Sequence, residues 1–170
     1  ESIMRTEALH PEVDAYFNWP GFFGLAALVF EELGLDDPGA AVAWSSAALG
    51  LAYLAPLLVI ARHFLGPGRK AWLAVWIFCL ANWVGQDYFS PQGLAYFGYL
   101  VVLGLVLTSV ESGATHRTAR LVCAGLLVAA IVPTHQLTPL VLGITLAVIA
   151  AVHRSRAIGG LAAGAFVLFG

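Results

Sequence analysis

A chain of 170 residues that is 60% hydrophobic and 11% charged cannot cover itself with polar side chains as a water-soluble domain does, since that takes about a quarter charged residues. The composition therefore predicts an integral membrane protein. A net charge of −2 without a basic stripe gives no footing for nucleic acid. Cys79 and Cys123 both lie inside apolar runs, where single thiols read as small core hydrophobes rather than as a disulfide or a metal site.

Residues 1–18 are polar, with Glu1, Glu7, Glu12 and Asp14 against a single Arg5. The apolar stretch 19–30 follows, opened by Trp19-Pro20-Gly21 and closed by Glu31 and Glu32. As a helix its roughly 12 residues reach about 18 Å, short of a hydrocarbon core of about 30 Å, so it is expected to lie in the interface. Full spans are predicted at 40–60, 71–84, 93–110, 121–132 and 138–152, with a truncated sixth from 157. Pro56 is expected to kink the first of them. The fold class is thus an all-α, polytopic transmembrane helical bundle. Residues 1–39 form an extracytoplasmic loop bearing the interfacial helix, and 40–170 form the transmembrane domain. With no signal-peptide pattern at the start and no polar flank after the last run, the chain reads as an internal piece of a longer polytopic protein.

Charge sets the orientation. Seven of the eight basic residues, Arg62, Arg69, Lys70, Arg117, Arg120, Arg154 and Arg156, fall in three alternate loops, which the positive-inside rule makes cytoplasmic. Nine of the ten acidic residues, all but Glu111, lie on the other side.

That outer side collects three segments rich in polar and aromatic side chains: 14–20, 86–92 and 133–139. The candidate catalytic residues are Asp87, Asp14 and His135. The candidate substrate-binding residues are Asn18, Trp19, Tyr88, Ser90, Gln92 and Gln136. The inventory suits a sugar: amides and carboxylates bond hydroxyls, aromatic faces stack on pyranose C–H groups, and a carboxylate takes a proton from an attacking hydroxyl. Simpler readings stand beside it. An aspartate in such a turn also serves as a turn former or helix cap. His135 also serves as a loop residue bonded to Gln136 or backbone, and Tyr16, Trp19, Tyr88, Tyr96 and Tyr99 as an interfacial aromatic belt. Asp14, Asp87 and His135 are of the right types for a divalent cation, without a diagnostic spacing. No phosphate-binding glycine loop or nucleophile-elbow serine occurs.

In the order Tyr16-x-Asn18-Trp19-Pro20-Gly21-Phe22-Phe23, Asn82-Trp83-Val84-Gly85-Gln86-Asp87-Tyr88-Phe89-Ser90-Pro91-Gln92 and Thr134-His135-Gln136-Leu137-Thr138-Pro139, the chain resembles the polytopic GT-C-type glycosyltransferases, its actinobacterial members in particular. The resemblance implies an enzyme in the cell membrane with a polyprenyl-phosphate sugar donor and a glycan, lipid or protein acceptor on the extracytoplasmic side. It also implies that the family's principal carboxylate, which follows a first transmembrane helix, lies before Glu1. Asp87, then Asp14, are the candidate bases by position, and His135 the partner of the leaving phosphate or the acceptor. Two rival readings are a transporter or channel-like membrane protein with Asp87 and His135 as an ion or proton relay, and a non-catalytic membrane scaffold.

Overall fold

The computed structural model describes residues 20–34, 39–81, 88–111 and 116–169. Among them every regular element is a helix: α1 Pro20–Glu32, α2 Gly39–Leu65, α3 Arg69–Ala81, α4 Pro91–Ser109, α5 Arg117–Ile131, α6 Thr138–His153 and α7 Arg156–Phe169. Two of these, over Val42–Leu65 and Pro91–Ser109, are long and apolar enough to cross a membrane. The helices α3, α5, α6 and α7 have 13, 15, 16 and 14 residues. At 1.5 Å per residue each is about 20–24 Å long.

Local chemistry explains the boundaries. Proline opens α1 and stands in the first turn of α4 and α6, where its missing N–H has no intrahelical partner to lose. The helix α2 runs through Pro56 to Leu65, beyond the expected end near residue 60, because Arg62 and His63 are favoured in a last turn whose carbonyls are negative. Gly66, at φ +73°, stops it, donating its N–H to Arg62 O at 3.0 Å. Likewise α5 begins at Arg117, four residues before the expected apolar start, since the Arg117 and Arg120 heads of its first turn reach Ser155 Oγ and Thr108 O at the end of the bundle.

Ile131 stands over Gly98 while Arg120 reaches Thr108, so α4 and α5 are antiparallel. Phe166 stands over Gly143 and Ala150 over Gly159, so α6 and α7 are too. Tyr53 meets Gly93 and Val59 meets Gly104, so α2 runs parallel to α4, with α3 packed on α2. The core of Val102, Val106, Ala124, Val128, Leu142, Leu146 and Ile158 lies between α4, α5, α6 and α7. A second cluster joins Tyr53 and Leu57 of α2 to Val75 and Leu100. Close approach is made by small residues, as membrane helices favour. At Gly143 a Cβ would stand 2.9 Å from the Phe166 ring, so α6 and α7 touch through a residue with no side chain. The outward faces are greasy: Trp44, Trp72, Trp76, Leu80, Val152 and Val167 are exposed. Cys79 and Cys123 are exposed there too, as free thiols, which corrects their expected place in the core. In a helix that is apolar all round, an apolar neighbourhood in sequence does not say which face is packed.

The two ends of the bundle differ. At one, His63 Nδ1 meets Glu111 Oε1 at 3.0 Å, Arg120 Nη1 donates to Thr108 O at 2.8 Å, and Arg117 Nη2 donates to Ser155 Oγ at 3.5 Å. These contacts gather at one end the three loops that carry seven of the eight basic residues. The other end holds α1, the start of α4 and the turn between α5 and α6.

Candidate functional site

The turn from α5 to α6 is built by its own polar groups. Thr134 is buried; its hydroxyl donates to Ala130 O at 2.7 Å and its N–H to Ile131 O at 2.9 Å, occupying carbonyls that α5 leaves open. Pro133 O points away from that ladder and accepts the N–H of Gly21 at 3.0 Å. A Cβ on Gly21 would lie 3.0 Å from Pro133 O and 3.1 Å from Thr134 Oγ1, so a larger residue would have to push the turn back by a few tenths of an ångström. Further along α1, Phe22 and Phe30, about two turns apart, both reach the Phe89 ring, at 4.9 Å and 5.8 Å. One short helix thus joins the 88–90 turn to the 132–137 turn, more than forty positions apart in the chain.

Ser90 is buried and caps α4, its Oγ accepting the Gly93 N–H at 3.0 Å. Tyr53 donates its phenol to Gly93 O at 2.9 Å and ties α2 to the same turn. With its first turn fixed, α4 presents Gln92, Tyr96 and Tyr99 at i, i+4 and i+7, on one face. They line a cleft of about 360 Å³ with His135, Leu137, Thr138 and Val141. The Tyr96 and Tyr99 rings stack at 6.1 Å and 10°, and Phe78 of α3 continues the stack beyond Tyr96 at 6.5 Å and 12°. Thr145 gives its hydroxyl hydrogen to Val141 O at 2.8 Å, so across the 3.3 Å contact with Thr145 Oγ1 the Tyr99 phenol is the donor.

His135 stands where α6 begins. Its Nδ1 accepts the Thr138 N–H at 3.3 Å and lies 2.9 Å from the Thr138 hydroxyl. The ring therefore serves as a cap for one of the open donors of α6. A nitrogen that accepts an N–H carries no proton, so the neutral ring carries its hydrogen on Nε2. Burial pushes the imidazole below the ordinary histidine range, since burial disfavours the charged form. The cleft is offered a neutral N–H donor, a carboxamide and two stacked phenol rings.

Of the residues singled out from the sequence, Gln92 and His135 share the cleft. Tyr88 is exposed, as is Gln136 on the turn beside it. Ser90 lies instead in a separate apolar cleft of about 290 Å³ between α1, α2 and α4. Asp14, Asn18, Trp19 and Asp87 lie outside the described residues. Tyr96, Tyr99 and Thr138 were not expected in a site; the i, i+4, i+7 spacing from Gln92 is the signal that marks the first two. Among the described residues no three His, Cys, Asp or Glu side chains gather as a metal site, and no carboxylate lines the cleft. No family model, curated protein or solved structure matches this chain.

Proposed function

We propose that the chain belongs to a polytopic membrane glycosyltransferase of the GT-C type that moves a sugar from a polyprenyl phosphate to an extracytoplasmic acceptor. In this reading α2 to α7 cross the bilayer and α1 lies in the outer interface. The shorter helices are accommodated by their flanking turns and by local thinning of the lipid. The observation that carries the proposal is the convergence of α1, the 88–90 turn and the 132–137 turn at the end of the bundle away from the cations, beside a cleft whose lining suits a sugar. The transporter reading needs charged groups along the interior, and the apolar runs 71–84, 93–110, 121–132 and 138–152 carry no Asp, Glu, Lys, Arg or His.

In the mechanism, an acceptor hydroxyl oxygen attacks the anomeric carbon as the bond from that carbon to the phosphate oxygen breaks. The electron pair leaves with the polyprenyl phosphate, and configuration inverts. The hydroxyl proton passes to a carboxylate, Asp87 in the first place and Asp14 in the second. His135 donates from Nε2 to the departing phosphate or holds the acceptor, and Gln92 with the stacked tyrosines fixes the sugar ring. The test uses membranes containing the intact chain and a panel of polyprenyl-phosphate sugars. Replacing Asp87 by Asn is expected to lower transfer by about 10²–10⁴-fold at unchanged protein level. Transfer at the unsubstituted rate removes Asp87 from the mechanism.

A further inference from the structure

A groove of about 440 Å³ lies away from the candidate site, between α2 and α4. Its walls are apolar, Pro56 and Val59 on one side and Phe97 and Val101 on the other, with Gly104 as a shallow floor. Arg120 closes one end. One guanidinium nitrogen of Arg120 donates to Thr108 O, among the last open carbonyls of α4, at 2.8 Å. The guanidinium has five N–H donors in all, so others remain for a ligand. Among the described residues no carboxylate pairs with Arg120; Glu111, the acidic residue of this end, is held by His63. Arg62, one turn beyond Val59 on α2, is exposed at the same level.

The dimensions point to an occupant. From Phe97 to Thr108 the groove follows α4 for eleven residues, about 16 Å, which matches one leaflet of a hydrocarbon core of about 30 Å. Cationic charge stands at the end where a headgroup would sit, and apolar walls run where a chain would lie. Basic pockets between membrane helices on the cytoplasmic side are suited to anionic headgroups. We propose that this groove binds one anionic phospholipid of the cytoplasmic leaflet, its phosphate on Arg120 and an acyl chain along Val59, Val101 and Gly104. The inference rests on the membrane-embedded part of the reading above and is independent of sugar transfer.

The experiment is native mass spectrometry of the intact chain taken from nanodiscs of equimolar phosphatidylglycerol and phosphatidylcholine. The expected result is one retained phosphatidylglycerol, preferred roughly fivefold. Arg120→Gln is expected to abolish the preference, and Arg120→Lys to keep it. Val59→Trp, which fills the groove, is expected to remove the retained lipid whatever its headgroup. Should Arg120→Gln lose its helical circular dichroism, the other two variants decide. Equal retention of both lipids by the unsubstituted chain overturns the proposal, as does a preference that survives Val59→Trp. Displacement by millimolar inorganic phosphate overturns it in favour of a free-anion site. A chain that never enters the membrane fraction fails the membrane reading itself; one that enters it without preference fails this inference alone.

Discussion

His135 shows how one side chain answers to both fold and chemistry. Its pKa is lowered in the folded protein, so below the ordinary value of 6.5 the unfolded chain binds more protons than the folded one. The stability of the α5–α6 turn is therefore complete above about pH 6.5 and falls as the pH drops through the lowered value. NMR of the ring is expected to show a midpoint below 6.5 and a protonated Nε2 at neutral pH; a midpoint above 6.5 contradicts the burial. His135→Ala is expected to cost about 1 kcal/mol through the lost cap, whereas His135→Asn keeps a capping oxygen and most of the stability. If the imidazole also serves the reaction, both variants lose transfer, and only the first loses stability in thermal melts. The sequence carried the idea of a backbone-bonded histidine in this turn. It did not identify Thr138 as the partner, since that depends on how the chain leaves Pro133.

At the scale of elements, α1 shows what periodicity conveys and what it omits. Its length, its opening proline and its acidic end are written in residues 19–32, and the helix lies within a residue or two of where they put it. Its docking was not legible, because the decisive feature is an absence, the missing Cβ of Gly21 against Pro133 O. Gly21→Ala is expected to loosen α1 from the turn, because the added Cβ crowds Pro133 O, a backbone atom with less freedom to move than a side chain. Hydrogen exchange over residues 20–32 should rise roughly tenfold or more, with α4 to α7 unchanged. Gly24→Ala is the control: nothing lies within 4 Å of a Cβ there, and the substitution should firm the helix by about 1 kcal/mol. Equal protection in the two variants would mean that α1 is held by Phe89 alone.

For the whole molecule, the sorting of charge to one end was readable from loop composition, and the His63–Glu111 and Arg117–Ser155 contacts gather those loops there. Which helices touch was not readable, because in chains apolar on every side no stripe separates protein-facing from outward residues. The proposed topology predicts that, in a chain with Cys79 and Cys123 replaced by serine, Gln136→Cys labels with an impermeant maleimide on intact cells. Pro67→Cys should label only after lysis, and labelling of both from one side refutes the orientation. The exposed indoles add a consequence for optical work. Trp44 sits at 73% exposure near the α1 end, while Trp72 and Trp76 stand outward on the first two turns of α3, near the cationic end. The emission of these three reports the surrounding medium more than the packing within, so in the proposed topology brominated acyl chains should quench it while the helices stay folded. With Trp19 and Trp83 replaced by phenylalanine, fluorescence would then read immersion depth at two levels, and a separate probe would be needed to follow unfolding.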